Sequence, residues 1–584
     1  MFKKYRLKTP LLQHITLFCF FCVYLLSPTA WSATQTIDLR MEYHTVTLGN
    51  KPVKAITVNG QIPAPELRFT EGDEVIINLH NALDEPGSIH WHGLLVPYKM
   101  DGVPWVSMPP IEPGGSFQYR FTLKQSGTYW YHSHSQLHEQ QGLYGAFIVE
   151  PRVVESRAVE PKVVEPKAEP LKYDQEVTLV LSDWADRHPN ETYRNLKKDG
   201  DYYKQFRPSW KFFWDEYKTA DNTKRQQIRQ TIAHMQQMRM GVWDWGDVAY
   251  DAFLLNGQTA KQPWATGVKR GETIRLRIIN GGASSYFNLK VFGAKNFRVV
   301  AVDGQSVEPV IAERILLGMA ETYDILVDIT EDKPYYVYAE AQDRSGYAIA
   351  TLKTQPGQSN TASIAPFDDP WFSDNNHDHA AMSSSTESSP SESPHAKHSN
   401  KRHPGKKPSM SDNLDNGMAH HQHHSKKPDN SGQTKQVVKL DYENLRSTFV
   451  TRDPSQEQEV IDITLKLTGN MERYIWSFDN IRYRDAEPIL FEEGKTYRMT
   501  LINETMMHHP IHIHGHWFIL DTGNGNYNPR KHTIDVPPMG QQVAWVQAQD
   551  SGKWFFHCHN LYHMKAGMTR LIKYTNLDEA PIHD

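Results

Sequence analysis

A short phrase that recurs three times constrains the fold more than any other feature of the chain. Each copy begins at an Asn-containing turn and continues to a Gly flanked by charged residues. The copies are Val58-Asn59-Gly60-Gln61 with Glu71-Gly72-Asp73, Leu255-Asn256-Gly257-Gln258 with Arg270-Gly271-Glu272, and Phe478-Asp479-Asn480 with Glu493-Gly494-Lys495. Around the first copy, short β-branched and aromatic segments alternate with Gly, Pro and Asn turns, which is typical of a β-sandwich. The 584-residue chain is therefore predicted to be all-β, with three copies of one β-domain.

Two stretches of biased composition separate the predicted domains, which we place at residues 34–150, 172–357 and 436–584. Residues 151–171 repeat Val-Glu-Pro-Lys units, whose prolines and charges favour an extended, solvated spacer. Residues 358–435 are rich in Ser, Pro, His and Lys with few large apolar residues, a composition typical of disordered segments. Within the second domain, residues from about 191 to 240 are predicted to form a partly helical insertion, most clearly at Lys224–Met240.

Residues 1–33 have the composition of a secretory signal peptide. A basic start precedes an apolar run over residues 11–26, and small residues follow it. A membrane anchor is the alternative, but the run is shorter than the roughly 20 residues that a span needs, and His14 interrupts it. We therefore expect export, cleavage near Ser32 or Ala33, and no stable membrane span in the mature chain.

The mature chain is expected to contain one cysteine. Cys19 and Cys22 lie inside the predicted signal, which leaves Cys558 without an intramolecular disulfide partner. An unpaired thiol in an exported protein needs protection, and a metal ion is one form of it. The net charge of −5 argues against a nucleic-acid partner.

The chain contains four His-X-His pairs, two near each end. They are His90 with His92, His132 with His134, His512 with His514, and His557 with His559. Alternate side chains of a strand share a face, so each pair presents two imidazoles together. One such pair is commonly a surface feature or part of a polar network. Four pairs predict a site between the first and third domains, where eight imidazoles could hold three metal ions.

The same alternation directs Cys558 to the opposite face from the two histidines that flank it. His563 follows five residues later, Met568 a further five, and His509 precedes the third pair by three. Two imidazoles, a thiolate and a weak axial methionine are the ligands of a blue-copper electron-transfer site. A buried, inert cysteine is the alternative, but the imidazoles on both sides argue against it.

The tripeptide His557-Cys558-His559 would join the two predicted sites by covalent bonds. An electron accepted at Cys558 could pass along the backbone to either histidine and so reach the cluster. Reduction of dioxygen to water needs four electrons, which one entry metal and three cluster metals can store. The pattern therefore predicts a four-metal oxidase that releases water.

These motifs resemble those of multicopper oxidases, and the wider phrases resemble the copper-resistance protein A family. The phrases are His90-Trp91-His92-Gly93-Leu94, Met100-Asp101-Gly102-Val103-Pro104, Tyr129-Trp130-Tyr131-His132-Ser133-His134-Ser135, Thr505-Met506-Met507-His508-His509-Pro510-Ile511-His512-Ile513-His514-Gly515 and His557-Cys558-His559-Asn560-Leu561-Tyr562-His563-Met564-Lys565-Ala566-Gly567-Met568. The resemblance extends from about residue 36 to 576, apart from the two spacers. It implies three cupredoxin-like Greek-key β-sandwich domains, a periplasmic location, four copper ions, and dioxygen as the acceptor.

The resemblance also implies which residues hold each copper. It assigns His90 and His512 to the type 2 ion, His92, His132, His134, His514, His557 and His559 to the type 3 pair, and His509, Cys558, His563 and Met568 to type 1. Asp101 matches an acid of the family that assists proton delivery to oxygen. Asp-Gly is also a strong turn signal, so a purely structural role for Asp101 is the alternative.

Three features depart from the family. The basic start reads Lys3-Lys4-Tyr5-Arg6 instead of a twin-arginine signal, so export unfolded and copper loading in the periplasm are expected. Met564 stands where many laccase-like relatives have a second acid after the type 1 histidine. Proton supply is then expected to depend on Asp101, or on Glu139 in the segment after His134. The spacer at 151–171 has no expected counterpart.

Methionines outside these motifs favour cuprous copper as the electron donor, because cuprous copper binds soft thioether sulfur well. Met235, Met238 and Met240 lie in the predicted helical segment, although helix packing explains them equally well. The nine histidines of residues 358–435 favour loose copper capture over a plain spacer.

Three functions stay open at this point. The first is a Cu(I) oxidase for copper tolerance, with a periplasmic copper-delivery protein as a candidate partner. The second is a laccase-like oxidase of phenols, and the third is a copper-sequestering protein with little turnover.

Overall fold

The computed structural model describes residues 33–152, 172–206, 245–359, 436–452 and 459–577, with scattered residues between 214 and 229. Several predictions fall outside these residues. They concern the signal peptide, nearly all of the spacer at 151–171, the His-rich segment within 358–435, and Met235, Met238 and Met240.

The first β-domain is a pair of four-stranded sheets. Its strands are β1 (Thr34–Val46), β2 (Val53–Val58), β3 (Ala64–Thr70), β4 (Glu74–Asn81), β5 (His90–His92), β6 (Ser116–Thr122), β7 (Gly127–His132) and β8 (Tyr144–Glu150). The sheet orders are β2-β1-β4-β6 and β3-β8-β7-β5. Trp91 packs in the core with Tyr119 and Phe147. Because neighbours on a strand point to opposite faces, His90 and His92 both face away from this core.

The second β-domain is built on one twelve-stranded sheet around one apolar core. Its strands are β9 (Gln175–Trp184), β10 (Ala252–Leu255), β11 (Gln258–Thr259), β12 (Trp264–Gly267), β13 (Thr273–Asn280), β14 (Phe287–Phe292), β15 (Phe297–Val302), β16 (Gln305–Leu317), β17 (Thr322–Asp328), β18 (Tyr335–Ala341), β19 (Tyr347–Lys353) and β20 (Gln436–Leu440). The order is β11-β10-β9-β13-β17-β15-β16-β14-β18-β19-β12, and β20 pairs with β16. The long strand β16 pairs with β15 and β14 and thereby joins the two halves of the sheet.

The third β-domain again contains two sheets. Its strands are β21 (Val460–Asn470), β22 (Ile475–Phe478), β23 (Ile489–Phe491), β24 (Thr496–Asn503), β25 (His509–Ile513), β26 (Phe518–Leu520), β27 (Arg530–Lys531), β28 (Thr533–Val536), β29 (Gln541–Gln547), β30 (Lys553–Cys558) and β31 (Thr569–Tyr574). The orders are β22-β21-β24-β29-β26-β27 and β23-β31-β30-β25-β28. Strands β25 and β30, which carry most of the C-terminal motif residues, are neighbours inside the second of these sheets.

Helices are few and short among the described residues, as an all-β chain predicts. The α-helices with complete bounds are α1 (Pro189–Lys198) and α2 (Leu561–Ala566), further helical residues occur among those described between 214 and 229, and short 3-10 helices occur at Tyr98–Met100, Glu139–Gln141, Lys204–Phe206, Tyr442–Asn444, Tyr483–Asp485 and Gly525–Tyr527. Helix α1 lies where the partly helical insertion was predicted, with His188 as N-cap and a proline at its start. Within the part of the chain that the structure describes, no helix has the length and apolar character needed to cross a membrane.

Candidate metal centre

Two pairs of antiparallel strands place the histidine motifs opposite one another. In the first domain, β5 pairs with β7, and His90 lies across from His132. In the third domain, β25 pairs with β30, and His512 lies across from His557. Each domain therefore offers a small patch of imidazoles, and the two patches meet at the interface between the domains.

The patches form four overlapping groups of three imidazoles, and each group takes residues from both domains. The ligand atoms of each group lie within 4.8 Å of one another. The groups are His92 with His132 and His559, His134 with His514 and His557, His90 with His512 and His514, and His92 with His512 and His532. Three nitrogen donors this close together could hold one transition-metal ion.

His90 and His512 both lie in one of these groups, with ring centroids 5.8 Å apart. Nδ1 of His90 lies 2.7 Å from the Asp101 carbonyl, and Nδ1 of His512 lies 2.7 Å from the His532 carbonyl. In both rings Nδ1 carries the proton and donates it to a carbonyl oxygen, so Nε2 presents its lone pair to the site.

The site fits metal ions because its buried nitrogens have no other partner among the described residues. Nitrogens without a hydrogen bond are Nε2 of His90, His132, His134 and His512, and both ring nitrogens of His92 and His559. Buried polar atoms are normally satisfied, so a cluster of unsatisfied ones is typical of a ligand site. Burial lowers the pKa of the His92 and His132 rings well below the usual range, and that of His557 to about 4. The imidazoles are therefore neutral, as metal ligands must be.

Asp101 connects the imidazoles of the two domains. Its Oδ2 lies 3.0 Å from Nδ1 of His514 and its Oδ1 lies 3.3 Å from Nδ1 of His90, and the side chain is fully buried. Asp101 also ends the short helix before Gly102, which has a φ of +85°. A Cβ on Gly102 would lie 1.7 Å from the Ile89 carbonyl oxygen, so the turn requires glycine. Asp101 therefore lies both in a turn and against the imidazoles of His90 and His514.

Glu139 lies at the edge of the imidazole cluster. Its Oε2 accepts a hydrogen bond from Nδ1 of His132 at 2.7 Å, and its Oε1 is buried without a partner among the described residues. Burial and the nearby Asp183 raise the pKa of Glu139 well above the usual range, which favours the protonated carboxyl. Glu139 and Met564 line the same small cavity, which also reaches His134.

Cys558 points away from this cluster, toward His509 and His563. Its Sγ lies 3.6 Å from Nδ1 of His509 and 3.8 Å from Nδ1 of His563. Burial raises the pKa of the thiol, so a metal ion must displace its proton. Met568 is buried in the same core, and its carbonyl accepts a hydrogen bond from the Cys558 amide at 3.1 Å. A thiolate between two imidazoles suits copper.

Two further residues, which no sequence pattern predicted, also lie against the candidate metal ligands. Asp247, from the second domain, accepts hydrogen bonds from Nε2 of His563 at 2.8 Å and from the Tyr474 hydroxyl at 2.6 Å. His532 places a ligand atom within 4.8 Å of those of His92 and His512. Neither residue belongs to a His-X-His pair, so no local pattern marks it.

Comparison with known proteins agrees with this geometry. Multicopper oxidase family models match residues 40–153, 175–357 and 458–577. Copper resistance protein A of Escherichia coli is 37% identical over 94% of this chain and 94% of its own length. A homolog from Pseudomonas syringae pv. tomato is 37% identical over 94% and 93%.

Solved structures share the fold. Fet3p, a multicopper oxidase that functions in iron import, superposes with a TM-score of 0.64 at 19% identity, covering 93% of this chain and 90% of its own. The predicted fold of three cupredoxin-like domains with a partly helical insertion is confirmed. The cofactor is copper, with four ions per chain. The chain belongs to the multicopper oxidase family, within its copper-resistance protein A group.

Proposed function

We propose that this oxidase takes electrons from cuprous copper in the periplasm, reduces dioxygen to water and thereby serves copper tolerance. The observation that carries the proposal is the pairing of two buried donor sets through the tripeptide His557-Cys558-His559. One set contains a thiolate between imidazoles, and the other contains imidazoles alone. When bound, copper supplies one-electron transfer at the first set and dioxygen reduction at the second.

The donor groups support one assignment of residues to copper ions. His92, His132 and His559 would hold one type 3 ion, and His134, His514 and His557 the other. His90 and His512 would hold the type 2 ion, and His509, Cys558, His563 and Met568 the type 1 ion. The assignment follows two of the imidazole groups whose ligand atoms lie within 4.8 Å of one another, and it leaves Cys558 with a separate ion.

Two acidic residues would orient an imidazole and supply protons: Asp101 orients His514, and Glu139 supplies protons. Asp101 accepts from Nδ1 of His514, and this bond turns Nε2 of that ring toward the other imidazoles. Protonated Glu139 would store a proton beside His132, at the wall of the small cavity that reaches His134. Met564 stands where many laccase-like relatives have a second acid, so Glu139 would supply protons in place of that acid.

Replacing Glu139 with glutamine should slow dioxygen reduction by about 10²-fold, the usual contribution of one general acid. Because the pKa of Glu139 is raised, its proton is present below that pKa and is lost as pH rises through it. The rate of oxygen uptake by the wild-type protein should therefore fall as pH rises through the pKa of Glu139. The rate of the variant should not show this alkaline decrease. The measurement is kcat for oxygen uptake as a function of pH.

Glu74→Gln is the matched control, since Glu74 is a first-domain acid paired with Arg120 on the protein surface. The control should keep both the wild-type rate and the wild-type pH profile. A Glu139→Gln variant that does the same would show that Glu139 has no part in proton supply.

Asp247 supports a cationic donor. Its carboxylate bonds Nε2 of His563, the imidazole whose other nitrogen faces Cys558. Negative charge near the electron-entry histidine would attract a cation such as Cu(I) more strongly than a neutral phenol. The copper-resistance proteins among the relatives support the same donor.

The donor is tested by oxygen uptake with Cu(I) and with a phenol under identical conditions. We expect rapid uptake with Cu(I) and little with the phenol, and Asp247→Asn should raise the KM for Cu(I) severalfold. Asp462→Asn, an exposed acid of the third domain, is the control. The opposite order of donors would contradict the proposal, and a fully loaded protein that consumes no oxygen with either would indicate sequestration.

The periplasmic location rests on the N-terminal sequence. Export through a signal cleaved near Ala33, copper loading after export and help from a copper-delivery protein are parts of this proposal. N-terminal sequencing of the protein recovered from the periplasm tests the first of them.

A further inference from the structure

The indole of Trp476 lies against both imidazoles of the Cys558 site. Its ring stacks on that of His563, with centroids 4.0 Å apart and planes at 27°. The same indole meets the His509 ring at a centroid distance of 5.2 Å, with an angle of 66° between the planes. Trp476 therefore packs against two of the residues that the proposed function assigns to the type 1 copper.

A glycine on the neighbouring strand makes room for this indole. Trp476 lies on β22 and is fully buried, and Gly469 is its partner across the antiparallel pair with β21. A Cβ on Gly469 would lie 2.2 Å from Cζ3 and 2.3 Å from Cε3 of Trp476. The six-membered ring thus occupies the space of a side chain at position 469, which keeps the indole against His563.

Asp247 and Trp476 restrain the His563 ring in different directions. Asp247 accepts a hydrogen bond from Nε2 at 2.8 Å, and such a bond runs along the plane of the ring. The indole instead packs on the face of the ring. The carboxylate fixes where Nε2 points, and the stack limits the tilt of the ring about that direction. Together they hold Nδ1 toward Sγ of Cys558, which is 3.8 Å away.

Packing alone does not account for a tryptophan at this position. Nε1 of Trp476 has no hydrogen-bond partner among the described residues, although a buried indole N–H normally finds one. A phenylalanine would fill part of the same space without burying an unsatisfied donor. Tryptophan differs from it by offering the ring face that attracts positive charge most strongly among the aromatic side chains.

We propose that Trp476 is a positioning residue of the type 1 site, which restrains the tilt of His563 and lowers the reduction potential of the copper bound there. The inference rests on the assignment of His563 to type 1 in the proposed function. Bound copper places positive charge on its imidazole ligands, and the cupric state places more than the cuprous state. The indole face therefore stabilises the oxidised site more than the reduced site.

The decisive experiment replaces Trp476 with fluorinated tryptophans in the full-length, copper-loaded protein. Fluorine withdraws electron density from the ring face and changes the ring volume little, so the fold should be kept. The type 1 reduction potential, measured by redox titration of the blue absorbance, should rise with the number of fluorine atoms. A potential that stays constant across the series would overturn the proposal.

Fluorinated tryptophan at position 554 is the matched control. Trp554 is fully buried in the same core, but its indole donates to the Asp550 carbonyl at 2.8 Å and stands edge-on to His516, which is not assigned to a copper. The potential should not change there. An equal rise at both positions would show a general effect of buried fluorine and would also overturn the proposal.

Trp476→Leu and Trp476→Phe provide the second measurement. The equilibrium constant for reduction of the type 1 copper by a redox mediator should be about 5-fold larger in the leucine variant than in the wild-type protein. The blue band of this variant should also shift, because His563 is free to tilt. The phenylalanine variant keeps an aromatic face and should lie between the two. A leucine variant with an unchanged or lower potential would contradict the proposal.

Failure of the proposed function gives a different result. A wild-type protein that binds copper without blue absorbance would refute the assignment of His509, Cys558 and His563 to type 1. A blue protein whose potential does not respond to fluorine at position 476 would refute only the role of Trp476.

Discussion

Replacing Cys558 with serine should abolish the blue absorbance of the loaded protein and lower its copper content from four ions per chain to three. The serine hydroxyl is a hard, weakly acidic donor, so it cannot replace a thiolate between His509 and His563. His557 and His559 lie on the other face of the strand from Cys558, so the cluster of eight imidazoles should keep its ions. Oxygen uptake should be abolished with every donor, because electrons no longer enter. Copper analysis and the visible spectrum give both readouts.

Met499→Leu is the matched control for this experiment. It removes a buried sulfur from the core of the same domain and leaves the Cys558 site intact. The control should stay blue. Blue absorbance in Cys558→Ser would refute the assignment of Cys558 to the type 1 copper.

Replacing Asp101 with asparagine should lower kcat for oxygen uptake by about 10²-fold or more. The substitution removes the negative charge that supports Nδ1 of both His514 and His90. The Cys558 site is separate, so the blue absorbance should remain. Oxygen uptake and the visible spectrum, measured on one preparation, distinguish these effects.

Asp84→Asn is the control, since Asp84 is an acid of the same domain that pairs with Lys54 on the surface. It should turn over at the wild-type rate. If Asp101→Asn also did so, the carboxylate would have only the turn role that its Asp-Gly sequence allows.

Much of the site could be predicted because most of its candidate ligands lie in short motifs whose spacing within a strand decides which face each side chain occupies. Strand alternation depends only on neighbouring residues, and it is enough to separate Cys558 from His557 and His559. The repeated phrase similarly predicted the number of β-domains. Position 191 was chosen as the start of the insertion from composition, whereas helix α1 begins at Pro189, where His188 caps it.

The contacts that the sequence did not reveal join distant residues. Asp247 is 316 residues from His563, and the segment around it contains no motif. His532 stands alone between a lysine and a threonine, and a lone histidine is commonly an ordinary buried residue. Only the fold shows that Asp303, from another domain, directs this histidine toward the cluster.

The division of each imidazole group between two domains would affect how quickly copper can exchange. An ion held by His134, just beyond the end of β7, and by His514 and His557 of the third domain would lie at the interface between the two domains. Its release would require the loss of all its bonds to one domain or the separation of the two domains. Domain motion is far slower than the exchange of a ligand in solution, so the ion should exchange slowly. The enzyme would keep its own copper while it turns over dissolved copper as a substrate.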